Sequence, residues 1–305
     1  MTRLWSHAIG ALLIVAVLAA RPRAALAQGA ASWSAVEQAL GRTGSAQPGG
    51  VMKFSFPRRD LRVRVGSVDV RTALALGGWV AFKQLADGKA MAMGDLVLTE
   101  DEVEPVISAL QQGGIEQTAL HNHLLGAAPN VMYLHIAGRG NAVTIARAIR
   151  HALEASKTPL DTAAAVAPPA LDLDTAAIAK ALGYHGKASG GVYQVGVPRA
   201  GKITEGTEEV PASMGTATSI NFQSTGAGKA AITGDFVLTG NEVNPVIRVL
   251  RDNGIEITAL HSHMIGDTPH LYFMHYWAND DAIKLARAMG AALARTQSAR
   301  PNGRA

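Results

Sequence analysis

Six histidines fall into two sets of three at one spacing. His121, His123 and His135 lie in ALHNHLLGAAPNVMYLH (119–135). His261, His263 and His275 lie in ALHSHMIGDTPHLYFMH (259–275), 140 residues later. Imidazole is the commonest side-chain ligand for transition metals. A His-x-His pair followed after eleven residues by a third histidine, kept in two otherwise diverged segments, reads as a metal-ligand set. On an extended strand alternate residues share a face, so Ala119, His121, His123 and Leu125 project together. Residues 126–130 (GAAPN) form a turn, and the returning strand carries Val131, Tyr133, His135 and Ala137 on one face. With the hairpin centred on Ala128, His135 lies opposite His121 and diagonal to His123. Such neighbours have Cβ atoms about 4.5–8 Å apart, so three rings can close on one ion about 2.0–2.1 Å from each nitrogen. The second copy repeats this around Asp267. Three protein ligands leave a fourth tetrahedral position open, as in catalytic zinc sites, where an ion polarises a carbonyl or acidifies a bound water. The competing reading is a polar, hydrogen-bonded pocket without metal.

Other repeated polar residues have both structural and chemical readings. Glu102 and Glu242 each follow a threonine, Thr99 or Thr239, by three positions, which is a capping box at a helix start; the alternative is a carboxylate serving as ligand or general acid/base. Pro105 and Pro245 suit a helix that begins after 100 and 240. Phe273 and Trp277 flank His275 where the first copy has Tyr133 and Ala137. They form either an aromatic wall for a small organic ligand or ordinary sheet packing, and they make the second site the better substrate-site candidate. His270 is either a fourth ligand or an exposed turn residue; His151 and His185 read as surface residues. Glu116 and Glu256 count onto the face opposite His121 and His261. Asp95 and Asp235, each after a glycine, read as turn residues and Lys89 and Lys229 as solvated ones, with metal support or anion binding as the alternative. Met91, Met93, Met132, Met264 and Met274 lie near the strands involved. They make copper an alternative to zinc, or are core methionines.

The elements that must hold these residues are also repeated. GDLVLTEDEVEPVISALQQG (94–113) matches GDFVLTGNEVNPVIRVLRDN (234–253), and GGVMKFSFPR (49–58) matches GGVYQVGVPR (190–199). In the first copy a helix is expected at 33–41, strands near 51–56, 61–70, 77–85 and 91–98, and a helix at 100–113. A hairpin follows over 116–125 and 131–138. The last helix covers 141–156, capped by Asn141, with Ala142, Ile145, Ala146, Ile149 and Leu153 as one apolar stripe. The fold class is α+β: two tandem homologous domains, each a mostly antiparallel sheet covered by helices. Residues 28–156 form the first repeat and 175–296 the second. The Pro- and Ala-rich 157–174 are the linker, and 297–305 a flexible tail.

Residues 1–27 read as a signal peptide: an apolar run over 8–20, then Ala25, Leu26 and Ala27 as a cleavage site. The expected location is periplasmic or secreted, with no membrane attachment after cleavage. The alternative is an uncleaved anchor. Cleavage removes Arg3, Arg21 and Arg23 and leaves 25 basic against 24 acidic side chains. No basic stripe remains to suggest nucleic acid. Cysteine is absent, which excludes disulfides and thiolate metal sites.

Two resemblances rest on these motifs. GDFVLTGNEVNPVI, ALHSHMIG and YFMHYWANDDA, with GDLVLTEDEVEPVI and ALHNHLLG, resemble the LppY/LpqO-type family of exported bacterial proteins, although this chain lacks the lipid-bearing cysteine of its lipoprotein members. The histidine spacing is similar to the zinc motif of acetolactate decarboxylase and related domains. That resemblance implies an α/β two-domain fold and zinc-ligand roles for His121, His123 and His135, or for His261, His263 and His275. The decarboxylase's arginine and glutamates have no matched positions here. The expectation is an exported zinc protein with an open three-histidine site, acting as a lyase or hydrolase on a small carbonyl or carboxylate compound. Its rivals are a non-catalytic zinc or copper carrier or sensor, and an envelope interaction module with structural metal.

Overall fold

Long, mostly apolar stretches in the central strands dictate the layering. Residues 90–98 are buried without a break, so this strand must be covered on both faces. The computed structural model describes residues 33–161 and 170–300. In the first repeat helix α1 (33–40) precedes β1 (Ser45–Gln47), β2 (Val51–Pro57), β3 (Val63–Val65), β4 (Val68–Val70) and α2 (Thr72–Ala75). Then come β5 (Gly77–Gln84), β6 (Ala90–Thr99), α3 (Glu100–Gln112), β7 (Glu116–His121), β8 (Ala127–Ala128), β9 (Val131–Gly140) and α4 (Ala142–Glu154). The second repeat runs α5 (Thr175–Leu182), β10 (Lys187–Ser189), β11 (Val192–Pro198), β12 (Thr204–Glu205) and β13 (Glu208–Glu209), then a 3-10 turn at Ala212–Met214. It continues with β14 (Ala217–Gly226), β15 (Lys229–Thr239), α6 (Gly240–Asp252), β16 (Glu256–His261), β17 (Asp267–Thr268), β18 (Leu271–Asp281) and α7 (Ala282–Leu293).

Each repeat is an antiparallel six-stranded sheet, ordered β1-β2-β5-β6-β9-β7 in the first and β10-β11-β14-β15-β18-β16 in the second. The fold is α+β in two tandem copies, as expected. One face of each sheet lies under its own helices: Phe54, Phe82, Leu96 and Leu134 meet Val106 and Ile149 in the first repeat, and Phe222, Phe236 and Met274 meet Leu250 and Leu285 in the second. The opposite faces meet each other. Val51, Ala81 and Met93 of the first repeat share a core with Val237, Met264 and Phe273 of the second, and Val97, Val131 and Tyr133 with Val192, Ala231 and Trp277. The layers run helices, sheet, sheet, helices. Each such buried side chain contributes about 1.5–3 kcal/mol, so the two halves are one structural unit.

Exchanged arms reinforce the contact. Around α2, Arg71 donates to the Gly191 carbonyl at 2.5 Å, while Gln223 donates to the Asp69 carbonyl at 2.7 Å. Reciprocally, Lys83 donates to the Glu209 carbonyl at 2.6 Å and Ser213 to that of Pro48 at 2.9 Å.

The structure corrects several expectations. Residues 61–70 form two short strands turning at Gly66 (φ 58°), not one. Strand β7 ends at His121, four residues early, because β8 pairs with β3 instead of continuing the hairpin. Helices α3 and α6 start at 100 and 240 with Pro105 and Pro245 inside them; the full capping box at each start holds the helix open ahead of the proline. The tail is not frayed over its first residues: Ala200 and Ala299 donate to the Gln297 and Pro198 carbonyls at 2.8 Å each. Linker residues 157–161 are tied down, with Arg42 donating to the Pro159 carbonyl at 3.0 Å. Asn141 caps α4 as expected, accepting from Val143 and Thr144. The signal-peptide reading of 1–27 lies outside the described residues.

Candidate metal centre

Strand pairing aligns one chemical row across each sheet. In the first repeat Ser55, Trp79, Asp95 and His135 are successive cross-strand partners; in the second the row is Gly196, Ser219, Asp235 and His275. Because the sheets meet on these faces, both rows point into the space between the repeats. A β-bulge at Thr118 and at Thr258 shifts the last pairing, so His135 opposes Ala119 and His121 opposes Tyr133. The partner of His135 is thus two residues from the expected one, and the hairpin centres on Ala127 rather than Ala128. The bulge keeps His121 on the face of His135, but it also carries Glu116 and Glu256 to that face, contrary to the alternation count. The bulged Thr258 donates to the His123 carbonyl across the repeats at 2.6 Å.

All six predicted histidines come together. Ring nitrogens of His121, His123 and His135 lie within 4.8 Å of one another, and so do those of His121, His261, His263 and His275. The sets are not two separate sites, because His121 belongs to both. His123 stacks on His275 with ring centres 3.7 Å apart, and His135 on His263 at 3.6 Å. Asp95 and Asp235 lie beside the cluster, outside both nitrogen groups. An Asp95 oxygen is 3.8 Å from His135 Nε2, and Asp235 oxygens are 3.7 and 3.9 Å from His263 and His275 Nε2. Sequence reasoning assigned these aspartates to turns. The available signal was a lone acidic residue inside an apolar strand.

The electrostatics fit a set of metal ligands. One ring nitrogen of each histidine and one oxygen of each aspartate are buried with no hydrogen-bond partner, an unfavourable state for so many polar atoms. Burial lowers the pKa of every ring: to about 4 for His261 and about 3 for His275, and well below the ordinary value for His123, His135 and His263. The rings are therefore neutral at pH 7, with lone pairs free. His275 Nδ1 donates to the Gly234 carbonyl at 2.8 Å, which leaves Nε2 as the acceptor and is how metal-binding histidines are usually oriented. Burial also raises Asp95 to about 7, and burial with the Asp95 charge raises Asp235 well above the carboxylate range. A cation would reverse both effects. The donor set fits a borderline ion such as zinc.

A cleft of about 620 Å³ opens onto the cluster, lined by Asp95, His123, His135, Asp235, His263 and His275, with Lys53 and Trp79 also in its wall. Phe273 is buried and stacks on His263 at 3.5 Å. Trp277 packs into the apolar contact between the repeats and is not part of the cleft lining. Glu102 and Glu242 are not brought to the cluster. Each closes its capping box and pairs with a buried arginine, Glu102 with Arg58 at 2.6 Å and Glu242 with Arg199 at 2.7 Å. Backbone donors from Lys157 and Gln297 take further acceptor positions, so both carboxylates do structural work. His270 binds Asp267 on the exposed turn and is outside both nitrogen groups; His151 and His185 are exposed.

Residues 34–155 and 176–295 each match the family described as Domain of Unknown Function (DUF1259). The chain belongs to that family. Its two DUF1259 copies coincide with the two sheets, so the cluster draws its ligands from both copies. No protein of curated function is significantly similar to the chain. Among solved structures it is similar to the trimeric bacterial microcompartment shell protein PduB, at 16% identity over 81% of this chain and 88% of that one, with a TM-score of 0.19. It is also similar to EtuB from Clostridium kluyveri, at 10% identity over 82% and 90%, with the same TM-score. Likeness at these scores carries nothing about this chain's role.

Proposed function

We propose that this chain is a metal-binding protein, holding zinc or alternatively copper between its repeats, and that it acts as a metal-dependent lyase or hydrolase on a small carbonyl or carboxylate compound. The observation that carries the reading is the convergence of buried ring nitrogens from both copies, one on each ring without a partner, with unpartnered oxygens of Asp95 and Asp235 beside them. The histidines, with Asp95 and Asp235 beside them, would hold the ion. Bound zinc supplies a Lewis acid and an acidified water. The protein's own part is to keep the imidazoles neutral by burial, to orient His275 through the Gly234 carbonyl, and to give a small molecule a walled approach past Trp79.

That approach favours an enzyme over a carrier, sensor or structural site, because a cleft of this size suits a small ligand. Export to the periplasm or medium depends on the signal-peptide reading of residues 1–27, and the LppY/LpqO-type resemblance supports it. The test is elemental analysis of the purified protein beside His121→Ala and His261→Ala. The expected result is stoichiometric metal in the parent and loss in both variants. A parent that carries no metal and has no affinity for zinc or copper would falsify the reading.

A further inference from the structure

We propose that the cleft binds a small oxyanion, carboxylate or phosphate, with Lys53 as the cationic anchor for its charged end and the histidine–aspartate cluster facing its other end. The inference rests on the metal reading for that second contact. Lys53 lies on β2 one alternate position from Ser55, so it extends the interface face beside the row that ends in His135. Its ammonium sits 3.8 Å from the centre of the Trp79 ring. Its hydrogen bond, to the Ser213 carbonyl, is long at 3.4 Å. Among the described residues no carboxylate lies within ion-pair distance of it, whereas the buried Arg58 and Arg199 each have one. Burial lowers Lys53 to about 8 against a partial offset from Asp95, so the ammonium lacks a close counter-ion. A half-buried cation in a cleft, held by a ring and a weak carbonyl contact, has its charge free for an anionic ligand.

The facing wall supplies neutral hydrogen-bonding groups. Gln194, Asn221 and Thr233 are successive cross-strand partners in the second sheet and line the same cleft. The repeat symmetry breaks here. Gln194 stands where Lys53 does in the first copy, and Ser219 where Trp79 does. The ligand-bearing histidines are duplicated, but the anchor is not, so a ligand with one anionic end has one preferred orientation. Lys187, exposed at the rim, adds a second positive charge that draws anions inward.

The test uses zinc-loaded full chain, its metal content measured on the same sample, titrated calorimetrically with inorganic phosphate and, separately, with glycolate. Lys53→Met keeps the stem against Trp79 and removes the charge; Lys53→Arg keeps both. The expected result is binding of at least one probe to the parent, weakened at least tenfold in Lys53→Met and largely retained in Lys53→Arg, with equal metal content in all three. The probe that binds tells phosphate from carboxylate. A metal-loaded parent that binds neither probe, or a Lys53→Met protein that binds as tightly as the parent, overturns the inference. A parent without metal instead sinks the preceding reading, while the Lys53 comparison on that same sample still decides the anchor.

Discussion

His121 Nδ1 and His261 Nε2 stand 3.0 Å apart across 140 residues of chain. That is hydrogen-bond distance between the rings, close to the about 3.3 Å that separates two nitrogens bound to one tetrahedral ion at about 2.0–2.1 Å, and the nitrogens left without a partner are the other two, His121 Nε2 and His261 Nδ1. The pair also fuses the two nitrogen groups, since His121 belongs to both. The centre is thus a property of the paired repeats and not of either alone.

It follows that His121 and His123 are not equivalent. His121→Ala removes a ligand from both groups and His123→Ala from one. Both should lower zinc affinity more than about tenfold, since even outer partners of a metal site give 10–100-fold losses, and the loss should be larger for His121→Ala. Competition with a chromophoric chelator measures both affinities. Equal losses in the two variants would refute the shared role.

Asp95→Asn should have opposite effects on metal and on stability. The carboxylate has no hydrogen-bond partner on Oδ1 and is raised to about 7. A folded-state pKa above the unfolded value means that stability falls as pH rises through 4 to 7, and the cost is fully present above 7. With a chelator present, the variant should therefore melt higher than the parent at pH 8, with a smaller gain at pH 6. Zinc affinity should fall at both. A variant less stable than the parent at pH 8 would contradict this account.

The histidines give the metal-free protein an acid-sensitive core. Their folded-state pKa values are depressed by burial, so below about 6.5 the unfolded chain takes up protons that the folded chain refuses. Each such ring costs about 1.4 kcal/mol per pH unit below that point. Asp95 and Asp235 act in the opposite direction, but two groups do not offset six. The urea midpoint of the chelated protein should fall between pH 7.5 and 5.5, and bound zinc should move it back up at pH 7.5. A midpoint that rises on acidification would count against neutral buried rings.

Glu102→Gln and Glu242→Gln should each destabilise by about 3–5 kcal/mol, because each leaves a buried guanidinium without its carboxylate. Arg58 also holds Asp60 at 2.8 Å, so Glu102→Gln should cost less than Glu242→Gln. Denaturant melts of the two variants settle the order, and zinc content should stay at the parent level in molecules that fold.

Gly234→Ala should unfold the second sheet at its centre. A Cβ there would lie 1.9 Å from the Ser219 carbonyl oxygen, whereas at Gly94, the matching position, the nearest atom is the Trp79 carbonyl oxygen at 2.9 Å. Backbone atoms on paired strands cannot yield that far, so soluble yield should collapse for Gly234→Ala and fall only partly for Gly94→Ala. Comparable yields would show that the strands are farther apart.

The sequence by itself determined the repeat, the α+β class and most element boundaries, because alternation, caps and turn residues act over a few positions. It also put His121 with His135, and His261 with His275, on one face, since the strand period is two; His123 and His263 lie beyond the ends of β7 and β16 and are brought in by the loops that follow. It placed Asp95 and Asp235 wrongly because a glycine beside an acid suits a turn as well as a crowded strand centre. Which surface those faces meet is set by long-range packing. Val51, Met93, Val237 and Phe273 bury against one another only when the two sheets stack, and the stacking merges two expected sites into one. The cleft, the isolation of Lys53 and the structural use of Glu102 and Glu242 follow from that contact and from buried arginines about forty residues away in sequence, distances over which local patterning carries no signal.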